Sequence, residues 1–151
     1  MTMHDIIHNI GMSQIAAPQT LTSGSIVSET IDMQGIGALA VAVLLGDTAD
    51  TLGASVYIDL KIEHAEDNGA GTPAAFAACT DVDVKPDMSL VSGVFKRVDN
   101  NAEADTRYAV EYSGGKRFVR ITAQAQGLSE GIQVAMLALA ANPAQAPVDN
   151  S

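Results

Sequence analysis

The sequence predicts an all-β protein: a single β-sandwich, jelly-roll-like, with an extended N-terminal arm. Three observations carry this. Apolar residues recur with a period of two along much of the chain. The spacers between those runs are dense in turn-forming residues, and the apolar material is aliphatic rather than aromatic. Hydrophobic residues make up 47% of the 151 residues but aromatic ones only 4%, with no Trp. A core of Ala, Val, Ile, Leu and Met suits closely packed sheets, and a chain of this length can bury one without staples.

Residues 1–24 read as the arm. Ile6, Ile7, Ile10, Met12 and Ile15 make it too apolar for water alone, yet Gly11, Pro18 and the polar run before Gly24 break any regular pattern. Two placements are open: against its own domain, or on a neighbour. Residues 25–141 form the sandwich domain. A strand is expected over Ser25 to Asp32. Leu39 to Leu45 is apolar at every position, as an inner strand covered on both faces would be, and Gly46-Asp47 then reads as a turn. Val56, Ile58, Leu60 and Ile62 alternate with Tyr57, Asp59, Lys61 and Glu63, which makes a strand with one wet face, capped at its wet end by His64. The Gly- and Ala-rich stretch Ala65 to Thr80 is the longest expected loop, with a helical turn at Pro73 to Ala78. Further strands are expected at Asp81 to Lys85, Ser89 to Arg97, Arg107 to Tyr112, around Val119 to Ala123, and at Ile132 to Ala140. Residues 142–151, rich in Pro and Ala, read as an extended tail.

Charge and composition narrow the function. At a net charge of −10 the chain lacks the clustered cations that release counterions from phosphates, so nucleic acid is not an expected partner. The longest apolar run, Ile36 to Leu45, is about half of what a membrane-spanning helix needs, and Met1 to Asp5 has no basic leader region. The expectation is synthesis and retention in a reducing, soluble compartment, with no membrane partner. Cys79, the sole cysteine, lies in an Ala-rich apolar run and reads as a buried small hydrophobe.

No constellation for chemistry stands out. His4 and His8 have a spacing metals use, but two ligands on an arm are too few. Asp81, Asp83 and Asp87 lack the converging oxygens of a calcium loop. There is no Gly-x-Ser-x-Gly elbow, and Gly114-Gly115-Lys116 lacks the rest of a phosphate-binding loop. No enzymatic activity, no metal and no cofactor are expected.

The cations are unevenly placed. Six of the eight Lys and Arg residues are Lys96, Arg97, Arg107, Lys116, Arg117 and Arg120. Brought together, they would form one basic surface for an acidic protein lattice, with Arg117 and Arg120 as bidentate anchors. Pairing with local acids such as Glu103, Asp105 and Glu111 is the equal alternative. With the apolar arm residues Ile6, Ile7, Ile10, Met12 and Ile15, these cations are the candidate partner-binding residues.

Two segments carry a resemblance. Ser28-Glu29-Thr30-Ile31-Asp32-Met33-Gln34-Gly35 fits a Ser-x-x-Ile-Asp-x-x-Gly pattern, and the alternating aliphatics from Ala38 to Leu45 follow it. Tyr112, Gly114, Lys116, Arg117, Phe118, Val119, Arg120 and Ile121 fit a Tyr-x-Gly-x-Lys-Arg-Tyr-Val-Arg-Val type element, with Phe118 where Tyr is usual. Over Ser25 to Pro147 the chain resembles small virion structural proteins of tailed bacteriophages, of the capsid decoration or cement type. The resemblance implies a non-enzymatic protein made in the host cytoplasm and carried on the outer capsid surface of the virion. Its partners would be the major capsid protein and copies of itself, a homotrimer ahead of a dimer. Bridging adjacent capsid subunits would add interface that must be lost before the shell opens. Another virion component (head spike, neck or tail protein) and a jelly-roll carbohydrate- or receptor-binding module are the alternatives.

Overall fold

The computed structural model describes residues 5–141. Two antiparallel sheets pack face to face. One has the order β1 (Ile10–Leu21), β11 (Ile132–Ala141), β4 (Ala38–Thr48), β9 (Arg107–Tyr112), β7 (Val84–Lys85). The other runs β2 (Ser25–Val27), β10 (Phe118–Gln126), β5 (Tyr57–Ala65), β6 (Ala77–Ala78), with β3 (Ile31–Asp32) also on β10 and β8 (Val94–Val98) also on β5. From β1 to β5 the chain changes sheet at each long connection, and from β8 through β11 it does so at every one. The result is the double Greek-key winding of a jelly roll.

This order overturns part of the arm reading. Residues 10–21 are a full strand of the five-stranded sheet, paired with β11 from Ile10↔Ala141 to Leu21↔Ile132. Ile15, Ala16 and Leu21 are buried in the domain's own core, so the domain begins well before residue 25 and Ile15 is not available to a partner. The proposed tail, residues 142–151, lies outside the described residues, as does His4.

The core is the meeting of two alternating sets. Leu39, Val41, Val43 and Leu45 of β4, Val110 of β9, and Val134 and Met136 of β11 face Ile58, Leu60 and Ile62 of β5 and Val119, Ile121 and Ala123 of β10. All are buried, and because each side chain fills a layer between two sheets, truncation leaves a void. Leu60→Ala is expected to cost about 2–5 kcal/mol in a denaturant titration.

Several local expectations change. β4 runs through Gly46-Asp47 to Thr48 instead of turning, and the β4–β11 register shifts between Ile132 and Val134 to absorb the extra residue. Pro73 to Ala78 forms no helical turn; Ala77 and Ala78 pair with His64 and Glu63 of β5. Asp81–Asp83 is a short 3-10 turn, not a strand. His64 continues the inward set Ile58-Leu60-Ile62 and is buried, not a cap at a wet end.

A second 3-10 turn, Asn101–Glu103, and the β4–β5 and β10–β11 connections are tied at one end of the sandwich by Asp50. Its carboxylate accepts from the Ser129 N–H and hydroxyl, the Glu130 N–H and the Gly131 N–H, at 2.7–3.0 Å. Its carbonyl accepts from the Asn101 amide at 2.7 Å, while Asn101 Oδ1 accepts from the Leu52 N–H. The Ser129 hydroxyl first, then the backbone donors, hold the Asp50 carboxyl down at about 2, against an ordinary value of 3.8. A depressed carboxyl contributes stability that is complete above its unfolded-state value and lost as pH falls through its folded value. Asp50→Asn, which points an NH2 at these donors, is therefore expected to unfold at lower temperature than wild type above pH 4. The gap should close as both are acidified toward pH 2, in thermal melts followed by circular dichroism.

Candidate functional site

The two segments that carry the phage resemblance lie far apart in sequence and meet in space. β3 pairs with the start of β10 through Phe118↔Asp32 and Val119↔Ile31, and the Met33 N–H donates to the Arg117 carbonyl at 2.7 Å. Ser28 fills the gap between β2 and β3. Its N–H donates to the Ile121 carbonyl, and its side-chain oxygen accepts from the Ile121 N–H at 2.9 Å, where a strand carbonyl would otherwise serve. Arg117 then grips Asp32 with two parallel hydrogen bonds, Nε to Oδ1 at 2.9 Å and Nη2 to Oδ2 at 2.8 Å, and reaches Gln34 and Asp67 as well. These contacts lower the Asp32 carboxyl; the Gly69 and Gly71 N–H groups, followed by Arg117, lower Asp67. At Gly114 a Cβ would lie 2.5–2.6 Å from atoms of the Tyr112 ring, so the turn closes over that ring only without a side chain.

The other cations follow the same rule. Arg97 holds Asp59 through two bonds of 2.7 and 2.8 Å and lies 3.9 Å over the Tyr57 ring. Arg120 bonds Glu63 at 2.7 Å and lies 4.1 Å over Phe76. Burial alone would raise the Glu63 carboxyl, but Arg120 and Lys61 more than offset it, and the group ends below its usual range. Lys96 pairs with Glu103 at 2.5 Å and is pushed up by that bond. Of the six, Arg107 and Lys116 have no ion pair among the described residues, and neither does Lys85. The six cations therefore do not form one basic surface: Arg97 and Arg120 flank β5 on the outer face of their sheet with their charge already met, and Arg107 belongs to the opposite sheet. Charge pairing holds, with Glu103 the one partner legible from local sequence.

The two outer faces differ sharply in chemistry. On β5 and its neighbours the outward residues include Tyr57, Asp59, Lys61, Glu63, Arg97 and Arg120, whose charges pair with one another, with the exposed Val27 beside Thr122 at the β2 edge. The outer face of the five-stranded sheet carries Leu44, Ala42 and Ala40 from β4 beside Ala135, Leu137 and Leu139 from β11, set in rows by the pairs Leu44↔Ala135, Ala42↔Leu137 and Ala40↔Leu139. None of these is buried, and Leu44 is 45% exposed. Arg107 and Glu111 on β9 border the face at Leu44 and Ala40. β4 was expected to be covered on both sides, but only its Leu39-Val41-Val43-Leu45 side is covered. At one end Ile6, Ile10 and Met12 join Ala40, Leu139 and Glu111 around an open, apolar hollow. Three of the arm residues singled out from sequence thus lie at this face. Ile7 is exposed, at 47%, outside the hollow's lining.

A third arrangement was not expected. His64, Cys79 and Asp83 converge beside Tyr112. The Tyr112 hydroxyl is 2.9 Å from His64 Nδ1 and accepts from the Lys116 N–H at 3.0 Å; the two rings meet edge to face. Burial, then the Lys116 ammonium, pushes the His64 imidazole down, and burial pushes the Cys79 thiol up to about 12. A thiol so protonated and enclosed is no nucleophile.

No family model matches the chain, and no curated protein matches it. Among solved structures it is similar to a pilus protein of Bacillus endospore appendages, at 12% identity over 88% of each chain with a TM-score of 0.40. It is also similar to an adhesin domain of the Lys-gingipain of Porphyromonas gingivalis, at 17% identity over 87% of this chain and 73% of that one, TM-score 0.34. A third likeness is to a protein of infectious bursal disease virus, at 12% identity over 91% of this chain and 34% of that one, TM-score 0.32. At these values none of the three bears on function. No helix among the described residues is long and apolar enough to cross a membrane.

Because Arg117 spans Asp32, Gln34 and Asp67, its role is to tie segments of its own chain. Arg117→Ala is expected to speed hydrogen exchange of the amides at Gln34, Gly69 and Gly71 and to lower Tm modestly. A docking residue would leave both unchanged.

Proposed function

We propose that this chain is a non-enzymatic capsid decoration protein of the tailed-phage cement type. In this reading it attaches to the outer surface of the head through the apolar outer face of its five-stranded sheet. The observation that carries it is the contrast between the two outer faces. A chain of net charge −10 leaves rows of Leu and Ala without a charged residue among them on one face, while its opposite face pairs its charges internally. A contiguous apolar sheet face marks a binding surface. The opposite, solvated face would be the one turned outward.

The partners in this reading are the major capsid protein and copies of the chain itself, a homotrimer ahead of a dimer. Ile6, Ile10 and Met12 would extend the contact at the hollow. Attachment would stabilise the shell because the buried apolar area must be re-exposed before adjacent subunits separate. Phe118 fits this account: it is buried beside Arg117 and Ala65, so the Tyr hydroxyl usual at that position is not needed for a contact. Sugar binding finds less support. Tyr57 lies under Arg97, Tyr108 has Lys96 over its ring and its hydroxyl on the Glu103 carbonyl, and Tyr112 is buried, so none of the three tyrosines offers a free ring face.

Quantitative mass spectrometry of purified particles tests the reading. A copy number comparable to that of the major capsid protein is expected. A few per cent of it would instead mark a spike, neck or tail component, and absence would remove the virion reading altogether. Leu139→Glu and Leu44→Glu are expected to keep the wild-type circular dichroism and a near-wild-type Tm, since both side chains point away from the core. Both should fail to attach to particles stripped of the protein, in a sedimentation assay.

A further inference from the structure

The His64, Cys79 and Asp83 cluster is independent of the sheet face and of the capsid reading. An imidazole nitrogen, a thiol sulfur and a carboxylate oxygen lie within 4.8 Å of one another, supplied by three separate pieces of chain. His64 ends the inward set of β5. The Cys79 N–H donates to the Ile62 carbonyl at 3.2 Å, which sets Cys79 diagonally beside His64. The 3-10 turn that follows, closed by the Asp83 N–H on the Thr80 carbonyl at 3.0 Å, folds the Asp83 side chain back toward both.

Each of the three side chains keeps a donor atom free. Asp83 Oδ2 accepts from the Thr80 N–H and hydroxyl at 2.8 and 2.9 Å, which leaves Oδ1. His64 Nδ1 faces the Tyr112 hydroxyl, which leaves Nε2. The Cys79 sulfur is 2% exposed and has no hydrogen-bond partner among the described residues. Packing alone explains a buried Cys; it does not explain why a buried histidine and a half-buried carboxylate both stand beside it within 4.8 Å.

The geometry points to a divalent, thiophilic metal ion, zinc before others, held by His64 Nε2, Cys79 Sγ and Asp83 Oδ1 with water in the fourth position. Mixed sulfur, nitrogen and oxygen donors in a tetrahedral set suit zinc, whose bonds of about 2.0–2.3 Å require the most widely spaced donors to close by about 1 Å. Calcium and magnesium take six or more oxygens, which this site cannot offer. Thiolate and carboxylate together balance the charge of the ion, and the thiol proton leaves to solvent as the Zn–S bond forms. With the ion on Nε2, Nδ1 would carry the ring proton and donate it to the Tyr112 hydroxyl oxygen 2.9 Å away, which would orient the ring. The ion would pin the Ala-rich 66–80 segment and the 3-10 turn onto β5, a structural role and not a catalytic one. No sequence pattern announces the site, because the three ligands match no metal-binding spacing.

The test uses the full chain without a histidine tag, purified from zinc-supplemented medium into metal-free buffer. Elemental analysis should find about one zinc per chain, falling about tenfold or more in Cys79→Ser. Cobalt added to the metal-free wild type should give a thiolate-to-cobalt charge-transfer band in the near ultraviolet, which the exposed His8–Asp5 pair cannot produce. Zinc should raise the Tm of the wild type and leave that of Cys79→Ser unchanged. Absence of the cobalt–thiolate band in the wild type, or zinc retained at full level by Cys79→Ser, would overturn the proposal. Should Cys79→Ser not fold, the cobalt titration of the wild type decides alone.

Discussion

The pairing of Ser28–Asp32 with Arg117–Ile121 is the constraint on which the remaining architecture depends, because it is where the chain is committed to its second sheet. Three interactions act together there: the Ser28 side chain standing in for a strand carbonyl, the β3–β10 ladder, and the Arg117–Asp32 fork. The Glu29 N–H donates to the Ile15 carbonyl of β1, so the same few residues also bind the opposite sheet. With β10 placed, β5 pairs along its whole length from Phe118↔Ala65 to Gln126↔Tyr57, and the inward rows of both sheets come into register. The two motifs are therefore structural staples. Arg117 and Arg120 are bound within the chain.

This internal pairing limits what the surface can bind with. Surface ion pairs are individually weak, but each one here removes a cation from any role in steering toward an acidic lattice. What is left to bind with is apolar. The Leu and Ala rows of β4 and β11 form a flat surface that a second protein surface of similar character could cover without desolvating a charge, and Arg107 and Glu111 at its border would fix orientation more than affinity.

Much of the sandwich was legible because alternation is a direct consequence of strand geometry: β5 and β9 lie almost where the pattern put them. β1 was hidden by its own irregularity. Register shifts between Gln14 and Ala16 and between Ala16 and Gln19 scramble its period of two, so a true strand reads as an arm. His64 could have been read correctly, since it falls on the inward parity of Ile58, Leu60 and Ile62. The ion pairs could not: Arg97 and Asp59 are 38 residues apart and Arg117 and Asp32 are 85 apart, and nothing local announces either. The apolar outer face was half visible, as an unbroken aliphatic run in β4 that pattern alone assigned to double burial.

The most direct test of the central claim, that attachment is apolar and the cations are internal, is the salt dependence of binding to stripped virus particles. The account predicts an affinity that is flat or rises as sodium chloride is increased, because salt strengthens apolar burial and has few intermolecular ion pairs to screen. A steep fall in affinity with salt would contradict it and return the binding role to Arg107, Lys116 and the remaining cations.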